Sequence, residues 1–461
     1  MSISGFDSTI PILGQPAVPS PLARASADVP FGSDFTDDNQ FVVYGVETDE
    51  GRVDLTIPAS QLLEKAGPRR TLYFDPGKVH AGIVTCGGLC PGINNVIRAL
   101  VMGLWYHYGV KQISGIRYGY RGFLPYDGLP LETLTPRVVT DIHRQGGTIL
   151  GSSRGQGDRV SDIVDSMERM NLNILFVIGG DGTQRGSLDI TQEIGRRGLK
   201  MAVVGIPKTI DNDLSFIQKS FGFETAVSKA VDSIVAAHVE AQNAFNGIGV
   251  VKVMGRESGF IAAHTALAIN DVNFVLIPEV RFDLHGPNGL LSHLEQRIVQ
   301  RHHAVILVAE GAGQDHLEAS THRDASGNKK PGDIGTYLTD RIRDYFLKKQ
   351  IEVSTRYIDP SYIIRSAPAN ANDSIYCARL GTHAVHAAMA GKTGLLISLI
   401  HNQFVHVPIQ LAVSKRHQIA PEKELWRDVV AATGQPRLMK NAEDSVQHIL
   451  PDVPAEPVLL V

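Results

Sequence analysis

From Val79 onward the chain alternates short apolar runs, each ending in glycine or a charged residue, with segments of helical period. HAGIVTCGG precedes INNVIRALVMGLW, ILFVIGGDG precedes SLDITQEIGRRG, and AVVGIPKT is followed after a loop by ETAVSKAVDSIVAAHVEA. Further on, IGVVKVMG leads to GFIAAHTALAI, NFVLIPEV to LLSHLEQRIVQ, and AVILVAEGAG to YLTDRIRDYFL. A continuously apolar run of this length reads as a strand buried on both faces, and with the amphipathic segment after it makes a βα unit. Repetition of that unit implies an α/β fold of mainly parallel sheets with helices on both faces and ligands beyond the carboxyl ends of the strands. The units suffice for two Rossmann-like lobes. No repeat of fixed period is present.

Composition narrows the function classes. The 461 residues carry 44 Lys+Arg against 48 Asp+Glu, a formal charge of −4, with 43% hydrophobic and 20% charged residues. That is a globular balance, and at roughly 150 residues per domain it allows about three domains. A slightly acidic chain is not built for nucleic acid or an anionic membrane, although a local basic pocket for a phosphorylated small molecule remains open. Three cysteines, Cys86, Cys90 and Cys377, cannot make a disulfide framework, and the first two lack the second pair a zinc site needs. MSISGFDSTI has no secretory pattern, and no run reaches the ~18 apolar residues of a membrane span, so a soluble cytoplasmic protein is expected. The first forty residues, rich in Pro, Ser, Gly and Asp, read as a loosely ordered arm. Strand-like pieces at 41–44, 53–57 and 71–74 suggest a small β appendage, and the polar insert within 311–335 a surface loop.

The strand ends carry the chemistry. Cys86-Gly87-Gly88-Leu89-Cys90-Pro91-Gly92 opens a helix, where glycines admit a ligand to the backbone and the helix N-terminus favours an anion; a plain tight turn explains it equally well. Gly179-Gly180-Asp181-Gly182-Thr183 sets a carboxylate among glycines. Glycines expose amides to phosphate, but an aspartate meets phosphate only through a cation, and Mg²⁺ bridging Asp181 to phosphate oxygens fits that chemistry. The alternative is an Asp helix cap. Pro207-Lys208-Thr209-Ile210-Asp211-Asn212-Asp213 places one cation and two carboxylates directly after a buried strand, suited to taking a hydroxyl proton while Lys208 neutralises a transferring phosphoryl group. Met254-Gly255-Arg256 offers a guanidinium fork for phosphate, and Pro278-Glu279 an acceptor for sugar hydroxyls; either side chain is equally open to pairing with a helix.

Three matches are set aside. Gly151-Ser152-Ser153-Arg154-Gly155 has the spacing of a hydrolase elbow, but only Thr148-Ile149-Leu150 precedes it, and Arg154 suits an anion better. His322-Arg323-Asp324 imitates a protein-kinase loop without its companions, and Gly391-Lys392-Thr393 lacks the earlier glycine of a phosphate-binding loop.

GGDGT, PKTIDND, MGR and PE, in that order and on strand ends, resemble the 6-phosphofructokinase family over about residues 80–409, most closely its long-chain branch with an N-terminal extension. The resemblance implies a nucleotide-binding lobe over 79–222 and 364–409, a sugar-phosphate-binding lobe over 223–363, an N-terminal extension over 1–78 and a C-terminal extension over 410–461. It makes Asp211 the base for the sugar 1-hydroxyl, with Thr209 and Ile210 lining the sugar. Asp181 would hold Mg²⁺, while Gly87, Arg154, Gly155, Gly180, Gly182 and Thr183 would line the nucleotide. Met254, Gly255 and Arg256 would meet the sugar phosphate and the transferring group, and Glu279 the sugar hydroxyls. Arg356 and Arg365 resemble the pair that clamps the 6-phosphate, with Tyr362, Ile363 and Ile364 between them; Arg356 would reach in from a neighbouring subunit, so a homodimer or homotetramer is expected. Three departures stand out: Leu89 where Asp is usual, Gly247 where an Arg is frequent, and Tyr362 where His is common. No effector residues carry over.

Two positions bear on the phosphoryl donor. Gly182 matches ATP users, since pyrophosphate users carry there an Asp that fills and repels the α-phosphate position. Lys208 resembles pyrophosphate users, but it adds a cation and excludes nothing, and long-chain ATP users share it. The expected reaction is γ-phosphoryl transfer from MgATP to the 1-hydroxyl of fructose 6-phosphate, with Mg²⁺, Lys208, Arg154 and Arg256 neutralising charge. A pyrophosphate-dependent enzyme and a non-catalytic sugar-phosphate or nucleotide sensor are the alternatives.

Overall fold

The computed structural model describes residues 6–25, 35–46, 57–317 and 331–441. Its strands in chain order are β1 (Val18–Pro19), β2 (Phe41–Val42), β3 (Leu63–Glu64), β4 (Thr71–Leu72), β5 (His80–Thr85), β6 (Gln112–Ile116), β7 (Glu132–Thr133) and β8 (Ile174–Gly179). They continue with β9 (Ala202–Pro207), β10 (Gly247–Val253), β11 (Phe274–Leu276), β12 (His303–Ala309), β13 (Ser354–Ile358), β14 (Leu395–Ile400) and β15 (Gln403–Pro408).

Two sheets organise the chain. A seven-stranded sheet runs β15-β14-β9-β8-β5-β6-β7, and a four-stranded sheet runs β11-β12-β10-β13. The second is parallel throughout; the first is parallel from β14 to β6 and edged by antiparallel β15 and β7. This is the two-lobed α/β fold expected from the βα text.

Side-chain alternation explains why both faces need a cover. On β8, Ile174, Phe176 and Ile178 join a core with the helices Ile93–Met102 and Ala371–Met389. Leu175 and Val177 point the other way, into a core with Val160–Arg169 and Asp181–Arg196. In the second sheet, Val251, Val275, Val305 and Leu307 pack against the helices Phe223–Asn243 and Phe260–Ile269. Val250, Leu276 and Ile306 pack against Leu290–Arg301 and Ile334–Lys348.

The expectation of a loosely ordered arm is corrected for the described part of the first forty residues. β1 pairs antiparallel with β4, and Ser8 Oγ donates to Ser60 O at 2.8 Å. β2 pairs with β3, a strand the apolar pattern did not single out; of the runs 41–44 and 71–74 only the first two residues of each are strand. A buried charge cluster fastens this layer. Glu64 accepts from Arg69 Nη2 at 2.5 Å and lies 2.7 Å from Lys392 Nζ and 3.2 Å from His406 Nδ1. Buried charges persist only when paired in this way. The run at 53–57 lies, apart from Ile57, outside the described residues, as does His322-Arg323-Asp324. No helix among the described residues is long and apolar enough to cross a membrane.

The described residues from 409 to 441 pack onto both lobes. The helix Ile409–Ala412 completes a core with Leu396 and Val405. The helix Glu424–Thr433 buries Trp426 and Val429 in the core of the four-stranded lobe. Trp426→Ala is expected to cost about 3–5 kcal/mol, the usual price of a vacated aromatic site, seen as a lower urea midpoint; an unchanged midpoint would show that this helix does not stabilise the lobe.

Candidate active site

Register sets the site. Gly179 pairs with Pro207 and Thr85 with Ile178, so the turns after β5, β8 and β9 emerge side by side. The ladder runs one residue further: Cys86 N donates to Ile178 O at 2.9 Å and Lys208 N to Gly179 O at 3.0 Å. Beneath them, fully buried Gln184 donates Nε2 to the carbonyls of Gly179 (3.0 Å), Val177 (3.2 Å) and Ile206 (3.3 Å).

The turn after β5 is a backbone platform. Gly87 sits at φ +87°, where glycine is favoured, and its N–H donates to Ser153 O at 2.8 Å. Ser152 Oγ donates to Gly87 O at 2.6 Å, which docks the GSSRG turn on the first glycine turn. Thr148-Ile149-Leu150 forms no strand and Ser153 Oγ donates to Tyr118 O at 2.6 Å, so the hydrolase elbow is absent. Gly87, Arg154, Gly155, Gly182, Thr183 and Arg185 are among the residues lining a cavity of about 650 Å³. A Cβ added to Gly182 would meet nothing within 4 Å, so the space over this position is open. Gly180 precedes the helix as its cap and lies against the Lys208 carbonyl.

Asp181 is therefore the first helical residue rather than the cap. Its carboxylate lies 3.2 Å from Arg185 and 3.5 Å from Arg416. One carboxylate beside a cavity of phosphate-binding character fits Mg²⁺ that arrives on phosphates, because that ion keeps few protein ligands. No group of three or more His, Cys, Asp or Glu able to hold a metal by itself occurs among the described residues.

The turn after β9 concentrates charge. Lys208 is 7% exposed and donates from Nζ to Gly88 O at 2.6 Å, and burial lowers its pKa. Thr209 Oγ1 donates to Asp213 Oδ1 at 2.5 Å, and Asp213 Oδ2 accepts from Arg416 at 2.5 Å. Ile210 packs against the cores of both lobes. Asp211 accepts from the Arg256 backbone N–H, yet its Oδ1 is enclosed without a hydrogen-bond partner. Burial, then Asp213 and Glu310, push its pKa up to about 7 against the opposing charge of Arg365.

The facing lobe supplies a second acceptor. Glu279 Oε1 accepts from Gly259 N at 3.0 Å and Ile419 N at 2.9 Å, while Oε2 is buried and unpartnered; burial raises its pKa. Gly255 sits at φ +123° with the Ser258 carbonyl where a Cβ would be. Met254 and Ile364 are fully buried in the apolar core, so a ligand contact from either would come from the main chain. Arg356 is half-exposed on β13, with Nε 3.5 Å from Glu240, and Tyr362 and Ile363 are 82% and 67% exposed. The chain thus gathers most of the sequence-derived residues into one crevice, with these three turned to its surface.

Sequence reasoning missed Glu310, Ser258 and Arg416. Glu310 directly follows the apolar strand β12 and was legible on the same rule as the other strand ends. Ser258 donates to Asp211 O at 3.1 Å, and Arg416 lies in SKRHQ, where nothing marks it.

An α/β chain of two lobes, with glycine turns and enclosed carboxylates at its strand ends, is a binder of phosphorylated small ligands by its architecture. The sequence profile of one such family, PFK (Phosphofructokinase), matches residues 80–388, and the chain belongs to that family. It is 60% identical over 387 residues to the ATP-dependent 6-phosphofructokinase of Borreliella burgdorferi, covering 82% of this chain and 86% of that one. Its fold is similar to the pyrophosphate-dependent phosphofructokinase of Marinobacter aquaeolei (TM-score 0.64, 19% identity, 83% of this chain and all of that one). It is also similar to the T-state phosphofructokinase of Pichia pastoris (TM-score 0.60, 22% identity), covering 77% of this chain but only 37% of that longer one.

The raised pKa of Asp211 has a cost in stability. Below about pH 4 the group is protonated folded or unfolded, whereas above about 7 the folded chain must carry an enclosed charge, so stability falls as pH rises through that window. Asp211→Asn is expected to raise Tm at pH 8 and to leave it unchanged at pH 4. Equal shifts at both pH values would remove the enclosed charge as the cause.

Proposed function

We propose that the chain is an ATP-dependent 6-phosphofructokinase, transferring the γ-phosphoryl group of ATP to the 1-hydroxyl of fructose 6-phosphate to give fructose 1,6-bisphosphate and ADP. The name and 60% identity of the Borreliella burgdorferi relative support the reaction. The observation that carries it is the pair of buried, unpartnered carboxylate oxygens, Asp211 Oδ1 and Glu279 Oε2. Buried acceptors without donors are rare, and a polyol supplies hydroxyl donors for both.

Asp211 takes the proton of the attacking 1-hydroxyl. A pKa of about 7 makes it a stronger base than an ordinary aspartate while leaving it ionised just above neutrality. Glu279 accepts from sugar hydroxyls, and Thr209 and Ile210 line the sugar. Lys208, Arg154 and Arg256 neutralise the transferring group, and Gly87, Gly155, Gly180, Gly182 and Thr183 cradle the nucleotide phosphates. Asp181 holds Mg²⁺, which when bound supplies further charge neutralisation on the phosphate oxygens. Arg365 binds the 6-phosphate beside the main chain of Met254 and Gly255 and the 362–364 segment. Arg356 serves the site of a neighbouring copy, so the enzyme is a homodimer or homotetramer, working in glycolysis in the cytoplasm.

ATP is the donor because the position over Gly182 is open. Turnover of fructose 6-phosphate with Mg²⁺ and either ATP or pyrophosphate tests the whole reading: product with ATP supports it, and product with pyrophosphate alone overturns the donor. A Cβ at position 182 meets nothing within 4 Å, so Gly182→Asp is expected to fold normally while losing ATP turnover; unchanged ATP kinetics would sink the steric argument. Asp211→Asn is expected to lower kcat by about 10²–10⁴, and wild-type kcat/KM for fructose 6-phosphate to fall as pH drops through about 7. A folded Asp211→Asn enzyme with normal kcat removes the base.

A further inference from the structure

Residues 413–419 lie beyond the family match, which ends at 388, yet they bond to four of the segments that follow the strand ends. The segment starts in the core of the seven-stranded lobe, where Val413 is 4% exposed, and ends in that of the four-stranded lobe, where Ile419 is 4% exposed. Between these anchors it runs across the strand ends. Val413 O accepts from Arg185 at 2.5 Å, and Arg416 forms an antiparallel bridge with Leu214. His417 N donates to Asp213 O at 2.9 Å, Gln418 Nε2 to Glu257 O at 2.7 Å, and Ile419 N to Glu279 Oε1 at 2.9 Å. The helix that opens within GGDGT, the TIDND turn, the residue after MGR and Glu279 of PE are thereby tied to one strap.

At its centre the Arg416 guanidinium lies between two carboxylates of different motifs, 2.5 Å from Asp213 and 3.5 Å from Asp181. The Asp213 side chain is 10% exposed and both its oxygens are used, Oδ2 by Arg416 and Oδ1 by the Thr209 hydroxyl. Because that hydroxyl donates to Asp213, its lone pairs stay available to a donor. Removing the guanidinium would leave Asp213 with a buried charge and one neutral partner, free to turn away from Thr209.

We propose that Arg416 is a positioning residue of the phosphoryl-transfer site: it locks Asp213, and through it the Thr209–Asp211 turn, against the helix that begins at Asp181. The chemistry then depends on a side chain outside the stretch that the family profile matches. It touches no reacting atom, so its loss disturbs alignment rather than affinity. The inference rests on the phosphotransferase reading above.

The test uses the full-length enzyme and three variants, Arg416→Gln, Asp213→Asn and the double variant. Arg416→Gln is expected to lower kcat about 10²-fold. KM for fructose 6-phosphate, and its binding by calorimetry without nucleotide or metal, should change little. The double variant should be no slower than the slower single, because Arg416 acts through Asp213. Arg416→Lys keeps a cation but not the fork, so its kcat should lie between those of wild type and Arg416→Gln. It also carries the test should Arg416→Gln fail to fold. Wild-type kcat in folded Arg416→Gln or in Arg416→Lys, or a double variant slowed by the product of the two single effects, overturns the proposal. Wild-type enzyme inert with ATP and fructose 6-phosphate would instead overturn the function reading.

Discussion

The pairing of β8 with β9 and β5 in a single register is the interaction on which the crevice depends. It sets Cys86-Gly87, Gly179-Gly180 and Pro207-Lys208 in one row, and the ladder bonds of Cys86 and Lys208 carry that order past the strand ends. A slip of one residue between parallel strands would turn every side chain to the opposite face, and here both faces are packed against helices. Gln184 adds a lock, since its one amide nitrogen reaches carbonyls of β8 and β9 together. Its side chain occupies the space where any residue other than glycine at position 205 would place its Cβ. The turns at the strand ends are precise because the sheet beneath them has no alternative register.

The second lobe enters through one short segment. Ile210 packs into both cores, and Asp211 beside it holds the Arg256 N–H from across the crevice. The carboxylate thus sits where two lobes meet, which is why its surroundings include Asp213 from its own turn, Glu310 from the end of β12, and Arg365. Residues 413–419 run the same route on the other side. A carboxylate enclosed between lobes is desolvated by their approach, and its pKa rises the more closely they meet.

The strand-end motifs were legible because each follows an apolar run that cannot be anything but buried, leaving the polar residue after it no place except the sheet's edge. The same rule reaches Glu310. It fails for Arg416, which follows a short helix and a loop and finds Asp213 across 203 residues of chain. It fails again for the N-terminal layer, where Val18–Pro19 against Thr71–Leu72 is too short a pairing to leave a period. The groups that fasten that layer, Arg69 and Glu64 on one side and Lys392 and His406 on the other, lie more than three hundred residues apart and carry no local signal. Contacts of that kind are tertiary in origin, and a single sequence does not encode their partners in its spacing.

The two donor-discriminating positions have different physical weight. Gly182 faces open space beside a cavity large enough for a nucleotide, so what it contributes is an absence of atoms. Lys208 is buried under the first glycine turn, its ammonium bound to Gly88 O and close to Gly87, where an added Cβ would lie 3.3 Å from Nζ. Held there, the ammonium steadies the turn, and in the proposed reaction it would offer positive charge to the phosphates of either donor. A group that serves both donors equally cannot choose between them. In the proposed reaction, specificity then falls to the position where one donor needs room and the other does not, and that position is Gly182.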